Sequence, residues 1–157
     1  MKPQRIVLIR HGESKGNVDR SVYAERPDYA LELSEKGVSQ SIEAGNDLAK
    51  IMGKESIMFY VSPHWRTRMT CEGILQSFSG NKILIREEPR IREQEWGHLR
   101  SVDKNQLLDT ERDAFGTFYY RFADGESCAD VYDRVSGFFD TLFRDFETVL
   151  SDKFRNR

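Results

Sequence analysis

Short apolar runs alternate with amphipathic segments in the first half of the chain, and this alternation limits the folds that it can adopt. The apolar runs cover residues 5–9, 57–62 and 82–86, and the patterns between them predict helices over residues 35–52 and 64–78. A strand–helix–strand–helix–strand order is typical of a parallel sheet with covering helices. The sequence therefore predicts an α/β fold with a mostly parallel sheet.

The sequence also predicts helix boundaries and packing faces. Ser34 is placed as the N-cap of the first long helix and Gly53 as its C-terminal stop. Residues 101–120 are expected to be largely helical. Ser127 and Asp130 form a capping pair for a last helix that ends near Leu150. The inward face of the first helix is predicted to comprise Val38, Ile42, Gly45, Leu48, Ala49 and Met52. The core stripe of the last is predicted to comprise Cys128, Val131, Val135, Phe138, Phe139, Leu142, Phe143, Phe146, Val149 and Leu150.

Composition and charge exclude several function classes. The 157 residues suit a single domain, and a formal net charge of -2 gives no support for a nucleic-acid partner. No apolar run approaches membrane-spanning length, so no membrane association is expected. Cys71 and Cys128 share no metal-binding spacing, and the sequence implies neither a metal nor another cofactor. Reduced thiols and a cytoplasmic location are expected, and a disulfide is the alternative.

The residues Arg10-His11-Gly12-Glu13-Ser14 directly follow the first apolar run. Ligands of α/β folds bind at the carboxyl ends of strands, and a glycine lets the backbone turn tightly there. A histidine beside a fixed cation suits attack on a phosphate, because the cation holds the anion while the neutral ring supplies the nucleophile. The alternative interpretation is a strand followed by a polar turn.

Three further segments favour the phosphate site. They are Ser62-Pro63-His64-Trp65-Arg66-Thr67-Arg68-Met69-Thr70, Arg92-Glu93-Gln94-Glu95-Trp96-Gly97 and Gly125-Glu126-Ser127. Together with residues 8–14 they resemble the signature segments of the histidine phosphatase superfamily, which includes the cofactor-dependent phosphoglycerate mutases. The resemblance covers essentially the whole chain and is greatest to plant-type phosphoglycerate-mutase-like proteins.

The resemblance implies a phosphoglycerate-mutase-like three-layer sandwich and a reaction through a phosphohistidine. His11 would be the nucleophile, with one ring nitrogen held as a donor by a backbone carbonyl so that the other nitrogen is free. Arg10 and Arg66 would bind the phosphate, and the N-terminus of the helix that carries Arg66 would add positive charge. Glu93 would protonate the leaving oxygen and later accept a proton from water.

Two further residues are candidate ligand contacts. Asn17 matches a ligand-contacting asparagine of the family, and the hydroxyl of Ser62 is a candidate donor in the phosphate pocket. His64 and His98 match no catalytic position and are predicted to lie at the surface or at the rim of the site. A surface position for Arg66 and a solvated charged loop around Glu93 are the alternatives.

The family carries a second catalytic histidine on a strand after its last helix, and the printed sequence has none there. Its histidines are His11, His64 and His98. The resemblance therefore implies a domain over residues 1–157 that is incomplete at its C-terminus and lacks the C-terminal strands. Loss of one such phosphoryl-stabilising partner costs about two to three orders of magnitude in rate. The unpaired sheet edge is expected to expose apolar surface and to favour self-association.

These residues predict a phosphomonoester hydrolase or phosphomutase that acts on a phosphorylated small molecule and is impaired in this shortened chain. The segment between Gly97 and Gly125 is modest in length, whereas the family's mutases often carry a longer insertion there, which favours the phosphatase. The alternative is a non-catalytic pseudoenzyme or isoform that binds phosphate esters or a protein partner.

Overall fold

The computed structural model describes residues 3–97 and 102–147. The α-helices in this part of the chain are α1 (Lys15–Val18), α2 (Glu35–Met52), α3 (Trp65–Leu75), α4 (Val102–Phe115) and α5 (Cys128–Glu147). The strands are β1 (Ile57–Val61) and β2 (Ile83–Glu87). Short 3₁₀ turns cover Arg20–Ala24, Asp28–Ala30 and Pro89–Ile91.

The two strands pair in parallel, in the register Ile57 with Ile83 through Val61 with Glu87. The helix α3 connects them, so β1, α3 and β2 form one βαβ unit, and α2 packs on α3. The predicted α/β class with a parallel sheet is confirmed. The core of this unit consists of Leu48, Met52, Ile57 and Ile74, with Ala44, Phe59 and Phe78 packed against it.

The predicted caps of α2 are confirmed. The Ser34 side chain accepts a hydrogen bond from the Gly37 amide at 3.1 Å, and Gly53 ends the helix at φ 54°. A positive φ costs a glycine almost nothing, which explains why the helix stops at this residue.

The predicted inward face of α2 is largely correct, because Gly45, Leu48 and Met52 are buried. Val38 departs from it at 36% exposed, and Ser41, which the prediction did not include, is buried. A Cβ atom on Gly73 of α3 would lie 1.9 Å from the Ser41 hydroxyl oxygen, and one on Gly45 would lie 2.6 Å from the Ile74 carbonyl oxygen. The two helix backbones therefore approach each other through small residues, and this contact adds Ser41 to the buried face of α2.

The strand predicted at residues 5–9 is not formed in this structure. Within the described residues these five pair with neither β1 nor β2, and Ile6 and Leu8 are 61% and 93% exposed. A strand is defined by its ladder of backbone hydrogen bonds, so a sequence that favours extended backbone is not sufficient without a neighbouring strand.

The cap of α5 is confirmed. The amide and the hydroxyl of Ser127 donate to the Asp130 carboxylate at 2.7 and 2.6 Å, and the Asp130 amide donates back to the hydroxyl at 3.3 Å. The two hydrogen bonds that Ser127 donates, with a third from Arg121, lower the pKa of Asp130 to about 2.

The core stripe predicted for α5 is only partly correct, because Phe139 and Phe143 are 46% and 58% exposed. The residues of α5 that are buried are Phe138, Leu142 and Asp145. Val149 and Leu150 lie outside the described residues.

A buried carboxylate joins α5 to the sheet. Asp145 is 4% exposed and accepts a hydrogen bond at 2.8 Å from the hydroxyl of Tyr60 on β1, and Arg86 on β2 forms an ion pair with it. Burial and the hydrogen bond to Asp145 raise the pKa of Tyr60 to about 12.

Among the described helices, none has both the length and the apolar character that crossing a bilayer requires.

Candidate active site

The His11 ring is held in the tautomer that nucleophilic attack requires. Its Nδ1 atom lies 2.7 Å from the Gly12 carbonyl oxygen, and because a carbonyl only accepts, Nδ1 donates and Nε2 keeps its lone pair. Burial lowers the pKa of His11, and the charges of Arg66 and Arg10 lower it further, although the Gly12 hydrogen bond and Glu93 oppose them. The ring is therefore neutral at neutral pH, as a nucleophile must be.

The turn that carries His11 lies against the first turn of α2. A Cβ atom on Gly12 would lie 2.4 Å from the Gly37 carbonyl oxygen, and one on Gly37 would lie 2.0 Å from the Glu13 carbonyl oxygen. Both contacts are with backbone atoms, which cannot move aside as a side chain can. The glycine of the motif is thus required by a close approach of two backbone segments.

Thr70 connects this turn to α3. It is 5% exposed, its hydroxyl donates to the Arg66 carbonyl at 2.8 Å, and its oxygen accepts from the Gly12 amide at 3.1 Å. Thr70 belongs to a motif of the sequence but had no predicted function. Thr70 lies four residues after Arg66, which places both on one helix face, and this spacing could have identified it.

Arg66 lies in the first turn of α3 and is only 4% exposed, so the alternative of a surface arginine is wrong. Its Nη2 atom is 4.0 Å from the Glu93 carboxylate. The same guanidinium binds Asp28, with both carboxylate oxygens at 3.0 Å from its Nη atoms. The structure therefore brings together His11, Arg66 and Glu93, whose charges act on one another.

Arg134 on α5 determines the position of the loop that carries Glu93. The Glu93 side chain itself is 44% exposed. Arg134 donates hydrogen bonds to the carbonyl oxygens of Arg90, Arg92 and Glu93 at 2.6, 2.9 and 3.1 Å. Its own charge is balanced by Glu126 at 2.9 Å. Three hydrogen bonds to one loop fix the backbone from which Glu93 projects.

Glu126, in the Gly-Glu-Ser segment before α5, is the centre of this network. Burial by itself would raise its pKa, but hydrogen bonds from Arg134 and from the Glu95 amide outweigh burial, and the pKa is lowered. The Arg92 guanidinium also forms an ion pair with Glu126 and is therefore part of the same network. The Gly-Glu-Ser segment thus has a structural function that its sequence did not disclose.

The other predicted ligand contacts lie around this group. Arg10 is exposed at the end of the unpaired run, and its charge acts on His11. The Asn17 side-chain oxygen accepts hydrogen bonds from the amide and the hydroxyl of Ser14, both at 3.0 Å, and so caps α1. Among the described residues its –NH₂ group makes no hydrogen bond. Ser62 is 8% exposed, and its hydroxyl has no hydrogen-bond partner among the described residues.

His64 is buried, at 5% exposed, and the prediction that it lies at the surface is wrong. Its Nε2 atom lies 3.8 Å from the Asp28 carboxylate, which provides polar surroundings for a buried ring. Burial lowers the pKa of His64, and the charge of Arg66 lowers it further. Its Nδ1 atom has no hydrogen-bond partner among the described residues. His98 lies outside them.

Two unpartnered buried polar atoms therefore occur close together in sequence, the Ser62 hydroxyl and Nδ1 of His64. Buried polar groups are nearly always hydrogen-bonded, so such atoms indicate a place where a polar ligand can bind. No cluster of three or more His, Cys, Asp or Glu side chains within residues 3–97 and 102–147 is arranged to hold a metal ion.

Comparison with known families agrees with this geometry. The family profile described as histidine phosphatase superfamily (branch 1) matches residues 6–150 of the chain. The chain belongs to this superfamily. The family that the motifs indicate is therefore confirmed.

Plant and yeast proteins are among the relatives of this histidine phosphatase chain. It is 42% identical to phosphoglycerate mutase-like protein AT74H of Arabidopsis thaliana, over 94% of this chain and 56% of the relative. It is 43% identical to AT74 of the same plant, over 92% and 48%. The chain thus spans about half the length of these relatives. It is 27% identical to the broad-range acid phosphatase DET1 of Saccharomyces cerevisiae, over 92% of this chain and 70% of the relative.

Solved structures share the fold of this histidine phosphatase chain. The mycobacterial glucosyl-3-phosphoglycerate phosphatase Rv2419c superposes with a TM-score of 0.65 at 23% identity, over 86% of this chain and 62% of the other. The phosphoglycerate mutase of Bacillus anthracis superposes with a TM-score of 0.64 at 18% identity, over 87% and 66%. Both confirm the predicted fold class.

Proposed function

We propose that this chain hydrolyses phosphomonoesters of small molecules through a phosphohistidine at His11. The observation that carries the proposal is the contact between Nδ1 of His11 and the Gly12 carbonyl, which leaves Nε2 unprotonated beside the buried Arg66. Burial, assisted by the neighbouring cations, lowers the pKa of His11 and keeps the imidazole neutral, and the same cations attract the phosphate.

The reaction follows from these positions. Arg66 and Arg10 hold the phosphate, and the hydroxyl of Ser62 and the –NH₂ group of Asn17 are further donors. Nε2 of His11 forms a bond to phosphorus, the bond from phosphorus to the ester oxygen breaks, and Glu93 gives that oxygen a proton. Water then attacks the phosphohistidine, Glu93 takes a proton from it, and inorganic phosphate leaves.

A phosphatase is favoured over a mutase. Relatives with both kinds of name are present, since the chain is 27% identical to the yeast acid phosphatase and 34% identical to 2,3-bisphosphoglycerate-dependent phosphoglycerate mutase 2 of Lactobacillus johnsonii. The yeast protein matches over 92% of this chain and the bacterial mutase over 74%. The modest segment between Gly97 and Gly125 supports the same choice.

Slow turnover, or phosphate-ester binding without turnover, is the second candidate. The 157 residues contain no histidine after His98, so residues 99–157 do not supply a second imidazole of the family's kind. The chain would then act as a non-catalytic binder of phosphate esters or of a protein partner.

Self-association and a cytoplasmic location complete the proposal. The exposed apolar side chains of Ile6, Leu8 and Phe143 support pairing of two copies through apolar surface. Multi-angle light scattering is expected to show species larger than a monomer, and a single monomer peak with a cooperative melt would refute this. The free thiols of Cys71 and Cys128 are compatible with a reducing compartment.

Hydrolysis of an aryl phosphate tests the proposed activity. We expect turnover by the wild-type chain, a loss of at least about a hundredfold in His11→Ala, and a clear loss in Glu93→Gln. Glu95→Gln is the matched control, because Glu95 is an exposed glutamate of the same loop. Equal turnover in wild type and His11→Ala would refute the mechanism, and phosphate binding without any turnover would favour the non-catalytic alternative.

A further inference from the structure

The Arg66 guanidinium has two edges that can each bind an anion with two hydrogen bonds, and Asp28 occupies one of them. Nη1 donates to Oδ1 of Asp28 at 3.0 Å, and Nη2 donates to Oδ2 at 3.0 Å. Nη1 also donates to the Asp28 carbonyl oxygen at 2.8 Å. One residue therefore accepts three of the five N–H groups of this side chain.

The second edge of Arg66 is formed by Nε–H and the remaining N–H of Nη2. Among the described residues, Nε makes no hydrogen bond, and Nη2 faces Glu93 at 4.0 Å. This edge therefore faces the carboxylate of the proposed general acid at ion-pair distance but makes no hydrogen bond with it. Two parallel N–H groups match two oxygens of a phosphate, which is the geometry that arginine offers to such anions.

The burial of both partners makes the contact between them rigid. The side chains of Arg66 and Asp28 are 5% and 16% exposed. Asp28 begins a 3₁₀ turn of the irregular segment between α1 and α2, and His64 lies against the same carboxylate at 3.8 Å. A buried guanidinium that lacks its carboxylate would be free to rotate and would carry an uncompensated charge.

We propose that Asp28 is a positioning residue for the phosphate site: it binds the Nη1/Nη2 edge of Arg66 and thereby directs the Nε/Nη2 edge at the phosphate. This inference rests on the proposed function, since it assigns a second residue to the same phosphate site. Asp28 is outside the motifs that identified the family, and it acts through Arg66 without touching the substrate.

The direction in which phosphate affinity changes in Asp28→Asn distinguishes a positioning role from competition between Asp28 and phosphate. If Asp28 competed with phosphate for Arg66, its neutralisation would tighten phosphate binding, and simple removal of a nearby negative charge would do the same. A positioning role predicts the reverse, because Asp28→Asn loses a charge-assisted hydrogen bond that orients the guanidinium. Loss of one such bond corresponds to roughly a ten- to hundredfold weakening.

Titration calorimetry with inorganic phosphate provides the test. We expect the dissociation constant of Asp28→Asn to rise about tenfold or more. Asp28→Glu, which keeps the charge, is expected to recover part of the affinity. Asp47→Asn is the matched control, because Asp47 is an exposed carboxylate on α2 with the same charge change, and its affinity is expected to match wild type.

Unchanged or tighter phosphate binding in Asp28→Asn would overturn the inference. If Asp28→Asn does not fold, Asp28→Ser replaces it, because serine also removes the carboxylate, and unchanged or tighter phosphate binding in that variant would overturn the inference in the same way. Binding that depends on Asp28 without any aryl phosphate turnover would refute the proposed function alone. A wild-type chain that does not bind phosphate would contradict both.

Discussion

Replacement of Thr70 by valine tests whether α3 supports the nucleophile. Valine has nearly the shape of threonine but has no oxygen to accept the Gly12 N–H at 3.1 Å. Thr70 is 5% exposed, so that N–H is left largely without a partner, whereas the Arg66 carbonyl keeps its place in the α3 hydrogen-bond ladder. An unsatisfied buried donor costs about 1–3 kcal/mol.

This cost should be visible as a change in both stability and activity. For a chain of this size each kcal/mol lowers the melting temperature by roughly 2–4 °C. The Gly12 carbonyl orients the His11 ring, so a loosened turn misplaces Nε2. Misplacement by about 1 Å can cost a hundredfold in rate, so we expect kcat of Thr70→Val to fall at least about tenfold.

Thr70→Ser is the matched control for this experiment. Serine keeps the hydroxyl and loses one methyl group, which costs about 1 kcal/mol of stability. We expect its kcat for an aryl phosphate to stay within about twofold of wild type. Urea unfolding and steady-state kinetics on the three proteins provide the comparison. Equal kcat in the valine and serine variants, or wild-type stability in Thr70→Val, would refute the reasoning.

Three further predictions concern the loop, the pH dependence of stability and the helix contact. Arg134→Lys cannot reproduce three hydrogen bonds to one loop, so kcat should fall more than tenfold through displacement of Glu93; an unchanged kcat would contradict this. The pKa of His64 is below 6.5 in the folded chain, so the unfolded state takes up protons first and the unfolding free energy should decrease as the pH falls through 6.5. Urea titrations should show a smaller decrease in His64→Gln, and an identical decrease would count against this assignment. Gly45→Ala should lower the unfolding free energy by about 1–3 kcal/mol through contact with the α3 backbone at 2.6 Å. Gly137→Ala, which meets nothing within 4 Å, should raise it by about 0.5–1 kcal/mol, and equal effects would refute the close-approach argument.

Features that depend on local sequence could be predicted. The range 35–52 of α2, its Ser34 cap and its Gly53 stop agree with the structure residue for residue. The Ser127 and Asp130 cap of α5 is also present. Caps and glycine stops act within three or four residues, so neighbouring side chains contain the necessary information.

Features that depend on a partner element could not be predicted. Residues 5–9 have a strand-like sequence, but their pairing requires a neighbour that the described residues do not provide. The burial of Ser41 on α2 results from the approach of this helix to Gly73, which is distant in sequence. The exposure of Phe139 on α5 likewise depends on what packs against that helix. Periodicity indicates that a helix has an apolar face but not how much of that face is covered.

The candidate site likewise contains residues that the sequence could predict and residues that it could not. Motifs identified His11, Arg66 and Glu93, because each stands in a short segment with a recognisable pattern. Asp28 and His64 became candidates only when the fold brought them to Arg66. Asp28 is 38 residues from Arg66 in the chain, and no local pattern relates the two.

Detection of the covalent intermediate tests the central claim most directly. The chain is incubated briefly with a phosphomonoester labelled in the phosphoryl group, quenched in base and examined for protein-bound label. We expect label that is stable in base, labile in acid and absent from His11→Ala. Glu93→Gln should still be labelled by an activated aryl ester, whose leaving group needs no proton. Label of equal amount in His11→Ala, or turnover of the ester with label that resists acid, would contradict a phosphohistidine at this residue.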